Sequence, residues 1–230
     1  MNRSELAAEP LPRDLQARFR TVARAVWLLP AFGLLTLWAT LEHQPDPSTQ
    51  FQEWSEFVTT DAFLLEHVVG SIGGQALYAI GACALGAVVL VHGSRPRQAM
   101  WGVVTALAGS AGLLVGFGTA AFAQPAVGDL QLSGSARAPE LYDATYTPLA
   151  ISVLLGGALL FAVSTVLLAR AATTVARVSR SGAWLFGVSG PLVGVLGVFV
   201  AELQTVGCVA AVAGGAWLAH DLVGSESGSA

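Results

Sequence analysis

Glu66 and His67 are adjacent ionisable residues near the start of an otherwise apolar run, Ala62 to Val91. A carboxylate beside an imidazole that titrates near neutrality can move protons, so the two are the candidate catalytic acid–base residues. Ser71, Gln75 and Tyr78 follow His67 at intervals of four, four and three, which puts all four on one polar stripe of a helix. Glu66 lies about 100° away on the same wheel. Such a stripe turns toward other helices or a water-filled cavity, because facing lipid would strand its hydrogen-bonding groups. Ser71, Gln75 and Tyr78 are therefore expected to line a pocket. Asp143 and Glu202 are expected to join it from other segments at a similar level.

Depth sets how strongly this points to chemistry. The run is about 45 Å long at 1.5 Å per residue, against about 30 Å of hydrocarbon. Glu66 and His67 thus fall within a turn or two of the membrane boundary, and the stripe descends from there. No spacing beyond this is diagnostic: the chain has no HExxH, GxSxG, phosphate-binding loop or dinucleotide fingerprint. Cys83 and Cys208 lie inside apolar runs and read as small packing residues rather than a disulfide or a zinc site. Of the four histidines, His67 and His92 end opposite halves of one helix, His43 is in a loop, and His220 pairs with His92 only at a bundle end. No metal and no haem or other cofactor is expected.

The elements that must position these residues are membrane helices. Of 230 residues, 54% are hydrophobic and 11% charged, against roughly 25% charged in soluble domains. Several apolar runs exceed about 18 residues. The predicted fold is an all-α, polytopic membrane bundle of six transmembrane helices. They run over about 25–41, 62–91, 99–123, 148–169, 182–200 and 205–222. Gln124-Pro125 is predicted to end the third, Pro191 to kink the fifth, and residues 201–204 to form a tight hairpin. Phe51, Trp54, Phe57 and Val58 predict a short amphipathic helix lying on the membrane interface. Residues 126–146 read as a loop.

Domain organisation follows. Residues 1–24 form a basic amphipathic lead, 25–223 the six-helix domain, and 224–230 a Gly/Ser-rich disordered tail. All basic residues are arginines, and their placement orients the bundle. Arg3, Arg13, Arg18, Arg20 and Arg24 precede the first helix; Arg95 and Arg97 follow the second; Arg170, Arg177 and Arg180 follow the fourth. Only Arg137 falls in the opposite loops. Six spans with both termini cytoplasmic is the simple count that achieves this.

Glycine pairs at GxxxG spacing, Gly70/Gly74, Gly112/Gly116 and Gly190/Gly194, allow close helix approach within the bundle or to a membrane-protein partner. The lipid bilayer is the one certain partner, and no nucleic acid is expected. The location expected is a bacterial-type cell (inner) membrane. The function expected is a small-molecule-binding or carrier-type protein, or a complex subunit, with an outward-facing polar pocket on the second helix. The alternative is a membrane-embedded enzyme acting on a lipid or isoprenoid near the outer leaflet, with Glu66 and His67 as its acid–base pair. Below Tyr78 the second helix holds only Cys83 and glycines among apolar residues, which argues against an ion channel.

Overall fold

The computed structural model describes residues 20–42 and 44–223. The first nineteen residues of the predicted lead, His43 and the 224–230 tail lie outside them. The described residues form helices and no strand. Six helices are long and apolar enough to cross a membrane: α1 (Arg20–Trp38), α3 (Asp61–His92), α4 (Pro96–Leu132), α6 (Pro148–Ala172), α7 (Arg180–Val198) and α8 (Ala201–Val223). This is the architecture of a multi-pass membrane protein. Two short helices, α2 (Phe51–Val58) and α5 (Ala138–Thr145), lie in the connections.

The links from α3 to α4, α6 to α7 and α7 to α8 are short, which makes those spans antiparallel neighbours, and the six spans close into a ring. In it α1 packs on α3, α3 on α4, α4 on α6, α6 on α7, α7 on α8, and α8 back on α1. The tightest seam is α4 against α6, where glycines let the backbones meet. A Cβ on Gly109 would come 2.6 Å from the Phe161 amide nitrogen, and one on Gly112 would come 2.9 Å from Cα of Gly157. Gly70 and Gly74 meet α1 in the same way, and Gly190 and Gly194 meet α6. All three GxxxG pairs thus pack against helices of this chain. Outward faces carry exposed Leu107, Val115, Phe122, Leu159 and Val209, as lipid-facing surfaces require.

The two ends of the ring differ. At one end the links are short and arginine-rich; the described Arg20, Arg24, Arg95, Arg97, Arg170, Arg177 and Arg180 gather there. The other end carries a cap. Here several sequence expectations are corrected. The third span does not stop at Pro125: α4 runs 37 residues to Leu132, about 55 Å. A mid-helix proline costs roughly 3 kcal/mol. The extension is retained because α2 and α5 pack on it, burying Trp54, Val58, Phe63, Val127 and Ala138 in a second core. Gly128 fits so closely that a Cβ would come 2.9 Å from the Ser55 carbonyl oxygen. The amphipathic face of α2 is thus turned to protein. Much of the predicted 126–146 loop is the end of α4 and α5. Residues 201–204 are the first turn of α8, leaving only Phe199 and Val200 as the link from α7.

Two spans depart from α-helical winding at the cap end. In α3 the segment Glu66–Gly73 is a π-helix. In α7 the α-helix ends at Gly190, Pro191–Val195 is a π-helix, and Leu196–Val198 is a single 3-10 turn. The kink expected at Pro191 is therefore a rewinding of the whole half-span. The proline has no N–H to give, and the backbone redistributes its hydrogen bonds over the following turns.

Candidate functional site

On the ring axis, in its cap-end half, is a cavity of about 650 Å³. All six spans contribute, and they divide it by polarity. One wall is polar: Thr36 from α1 and Thr40 from the turn after it, His67, Ser71 and Gln75 from α3, and Gln204 from α8, with Glu42 and Gln44 at the mouth. The facing wall is apolar and comes from α4, α6 and α7, with Leu113, Phe117, Leu154, Phe161 and Val193 prominent. Both π-helical segments abut it, one through His67 and Ser71, the other through Val193 and Gly194. π-Helices are rare and recur at functional sites; two against one cavity mark it out.

His67 is held in one tautomer by its partner. Its Nδ1 lies 3.0 Å from the Phe63 carbonyl oxygen. A carbonyl only accepts, so Nδ1 carries the proton and the neutral ring keeps its lone pair on Nε2. The ring also packs on Phe63 at a tilt of 35°, centroids 4.0 Å apart, and Phe63 is buried in the cap core. The cap thus orients His67. Gln75 is 3% exposed and donates from Nε2 to Ser110 Oγ on α4 at 2.9 Å. That leaves its carbonyl oxygen without a partner among the described residues.

The floor is aromatic. Phe32, Tyr78 and Phe161 are buried and mutually packed, with centroids 4.7 to 5.7 Å apart in tilted or edge-on pairs. Ser164 spends its one hydroxyl hydrogen on the Phe161 carbonyl oxygen at 2.6 Å. The Tyr78 hydroxyl therefore donates to Ser164 Oγ. Below this the axis is filled by Leu85, Val88, Leu168, Phe186 and Leu218. The polar stripe ends at Tyr78, which lies beneath the cavity rather than on its surface.

The remaining predicted residues are not brought together. Glu66 is 7% exposed yet lines no part of the cavity. The acid within electrostatic range of it is Glu42, and no hydrogen bond or ion pair holds it among the described residues. Asp143 and Glu202 are exposed and outside the lining. Of the two polar residues at the start of α8, Gln204 lines the cavity and Glu202 does not, because α8 starts at Ala201 and its first turn carries residue 204 inward. Thr36, Glu42 and Gln44 went unread because single polar residues at a helix end carry no periodicity. No set of three or more His, Cys, Asp or Glu side chains able to hold a metal occurs among the described residues.

From Gln44 at the mouth a hydrogen-bonded chain runs into the cap. Gln44 Nε2 donates to Gln124 Oε1 at 3.2 Å, and Gln124 Nε2 donates to the Tyr146 hydroxyl. Tyr146 packs at a tilt on Tyr142, which packs edge-on against Trp54 and Phe51. Burial pushes the Tyr142 phenol up, as do the nearby Tyr146, Asp46 and Asp143. Burial also raises Tyr146, partly offset by its bond from Gln124. Comparison with known protein families, characterised proteins and solved structures finds no match.

Proposed function

We propose that the protein binds a small amphipathic molecule in the axial cavity, from the outer side of a bacterial-type inner membrane. In this reading both termini and the arginine-rich end are cytoplasmic and the cap is outside. The segregation of arginines supports the orientation, since Arg137 is the only described arginine at the cap end. The observation that carries the binding role is the cavity's division into a polar and an apolar wall above a closed aromatic floor. At about 650 Å³ it is within the usual range of small-molecule sites, about 300–1,000 Å³. A carrier would need the Phe32–Tyr78–Phe161 layer to open, and the packed core beneath it supports binding over conduction.

The test is ligand occupancy. Native mass spectrometry of the protein released gently from its own membrane should show a bound small molecule. Gln75→Leu should lose most of it, while keeping the wild-type melting profile to within a few degrees. Equal occupancy in wild type and Gln75→Leu would overturn the reading.

The second reading, an enzyme acting on a lipid or isoprenoid, draws on one observation: the lone pair of His67 Nε2 is available in a cavity that also holds the Ser71 hydroxyl. Among the described residues the one carboxylate lining the cavity is Glu42, at the mouth. The expected Glu66–His67 pair therefore lacks a common surface, and binding is the reading preferred.

A further inference from the structure

Between α6 and α7 the backbones are close at Gly190 and Gly194 and part toward the cap. Pro191 ends the regular helix of α7, and its last turn, Leu196–Val198, packs on α8 rather than closing against α6. Two residues flanking this seam line the cavity and also face outward: Leu155 is 46% exposed and Val198 is 57% exposed. Neither is a polar mouth residue. Beside them Ile151, Leu196 and Phe199 are exposed and apolar, and the exposed Ser152 spends its hydroxyl hydrogen on the Pro148 carbonyl oxygen. A side opening with such a rim leads into hydrocarbon, not water. It joins the apolar wall of the cavity, while the polar wall stands across the axis. No Arg or Lys lines the cavity among the described residues, and the charged group at its mouth is the acid Glu42.

We infer that the ligand is a single-chain lipid amphiphile without negative charge on its head, entering sideways from the bilayer between α6 and α7. Its chain lies along Leu155, Val198 and the apolar wall, and its head reaches Gln75, Ser71 and Gln204. An anionic head is disfavoured because a desolvated phosphate or carboxylate would meet only neutral groups and an acid. A hydroxyl or amide head instead completes the Gln75 carbonyl and Ser71. This rests on the binding reading proposed above and adds the route and the chemical class.

The experiment uses the full chain in lipid nanodiscs and a monoacylglycerol carrying a diazirine at mid-chain. Irradiation should label cavity residues such as Phe117 and Leu154. Leu155→Trp/Val198→Trp, which plugs the seam, should cut that labelling at least fivefold. Leu159→Trp, exposed on α6 one turn further along and outside the cavity, should leave it unchanged. The matching diazirine lysophosphatidic acid should label these residues at least fivefold less. A separate arm places Ser71→Cys in a Cys83→Ala/Cys208→Ala background and treats it with a water-soluble methanethiosulfonate. If Ser71→Cys reacts but the lipid probe labels only outward-facing residues, or the plug has no effect, the side entry is wrong and the cavity stands. If the phosphate probe labels as well as the neutral one, the head assignment is wrong. If neither Ser71→Cys nor any cavity residue reacts, the binding reading itself falls with it.

Discussion

Gln75 carries the clearest energetic role of any residue in the site. It bonds α3 to α4 through Ser110 and leaves an acceptor toward the cavity. Interhelical hydrogen bonds in membrane proteins average about 0.6 kcal/mol. A double-mutant cycle with Gln75→Leu and Ser110→Ala should therefore show a coupling of about 0.6 kcal/mol in unfolding free energy, and coupling near zero would mean that the bond is not formed. The phenols of the cap give a pH dependence with a definite sign. Tyr142 and Tyr146 are both raised by burial. Folding then favours their protonated forms, so their contribution is complete below the ordinary tyrosine pKa of about 10 and is lost as pH rises through the folded values. Limited proteolysis of the cap should accelerate above about pH 10, and less steeply in Tyr142→Phe/Tyr146→Phe; acceleration beginning near neutrality would contradict this. At this scale the sequence was partly legible. The spacing of His67, Ser71 and Gln75 is a property of one helix and could be read directly. The exclusion of Glu66, Asp143 and Glu202 depends on how other helices rotate against it, and no local pattern encodes that.

The elements were legible where length and hydropathy decide them and not where tertiary contacts do. Six spans follow from apolar runs. Pro125 misled because a proline's cost of roughly 3 kcal/mol is judged locally, whereas the packing of α2 on Gly128 and Val127 is not local. The π-helical winding of Glu66–Gly73 was not legible either: Gly70, Gly73 and the β-branched Val68, Val69 and Ile72 weaken the α-helix there, but glycine is frequent in membrane helices and does not select π over α winding. Packing at the α4–α6 seam makes a sharp prediction. Gly109→Leu should destabilise by about 1–3 kcal/mol or more through overpacking, because backbone faces it at 2.6 Å. Gly156→Leu, with nothing within 4 Å of where a Cβ would stand, should fall within about 0.5 kcal/mol of wild type. Thermal melting in detergent compares the two, and equal effects would contradict the seam. In the cap, Trp54→Ala should cost about 3–5 kcal/mol of local stability, seen as faster proteolysis of α2 and α5 while the spans stay protected. Protection of α2 equal to wild type would show that the cap core does not hold it.

The whole molecule is a ring of six helices, open on its axis at the capped end and packed solid at the arginine-rich end. The charge segregation that implied an even number of spans agrees with the short links found at that end. What the sequence could not convey is closure of the ring, because it depends on α8 returning to α1 across the full length of the chain. Orientation is testable by fusion: a cytoplasmic reporter at the C-terminus should be active and a periplasmic one silent, and the reverse would invert the proposed topology. The cavity opens toward the capped end and stops halfway along the axis. Single cysteines in a Cys83→Ala/Cys208→Ala background, exposed to a membrane-impermeant maleimide outside intact cells, test it directly. Ser71→Cys should be labelled, and Ser164→Cys, beneath the Phe32–Tyr78–Phe161 floor, should remain unlabelled. Labelling of Ser164→Cys at the same rate, or of Ser71→Cys only after the cells are opened, would contradict the account.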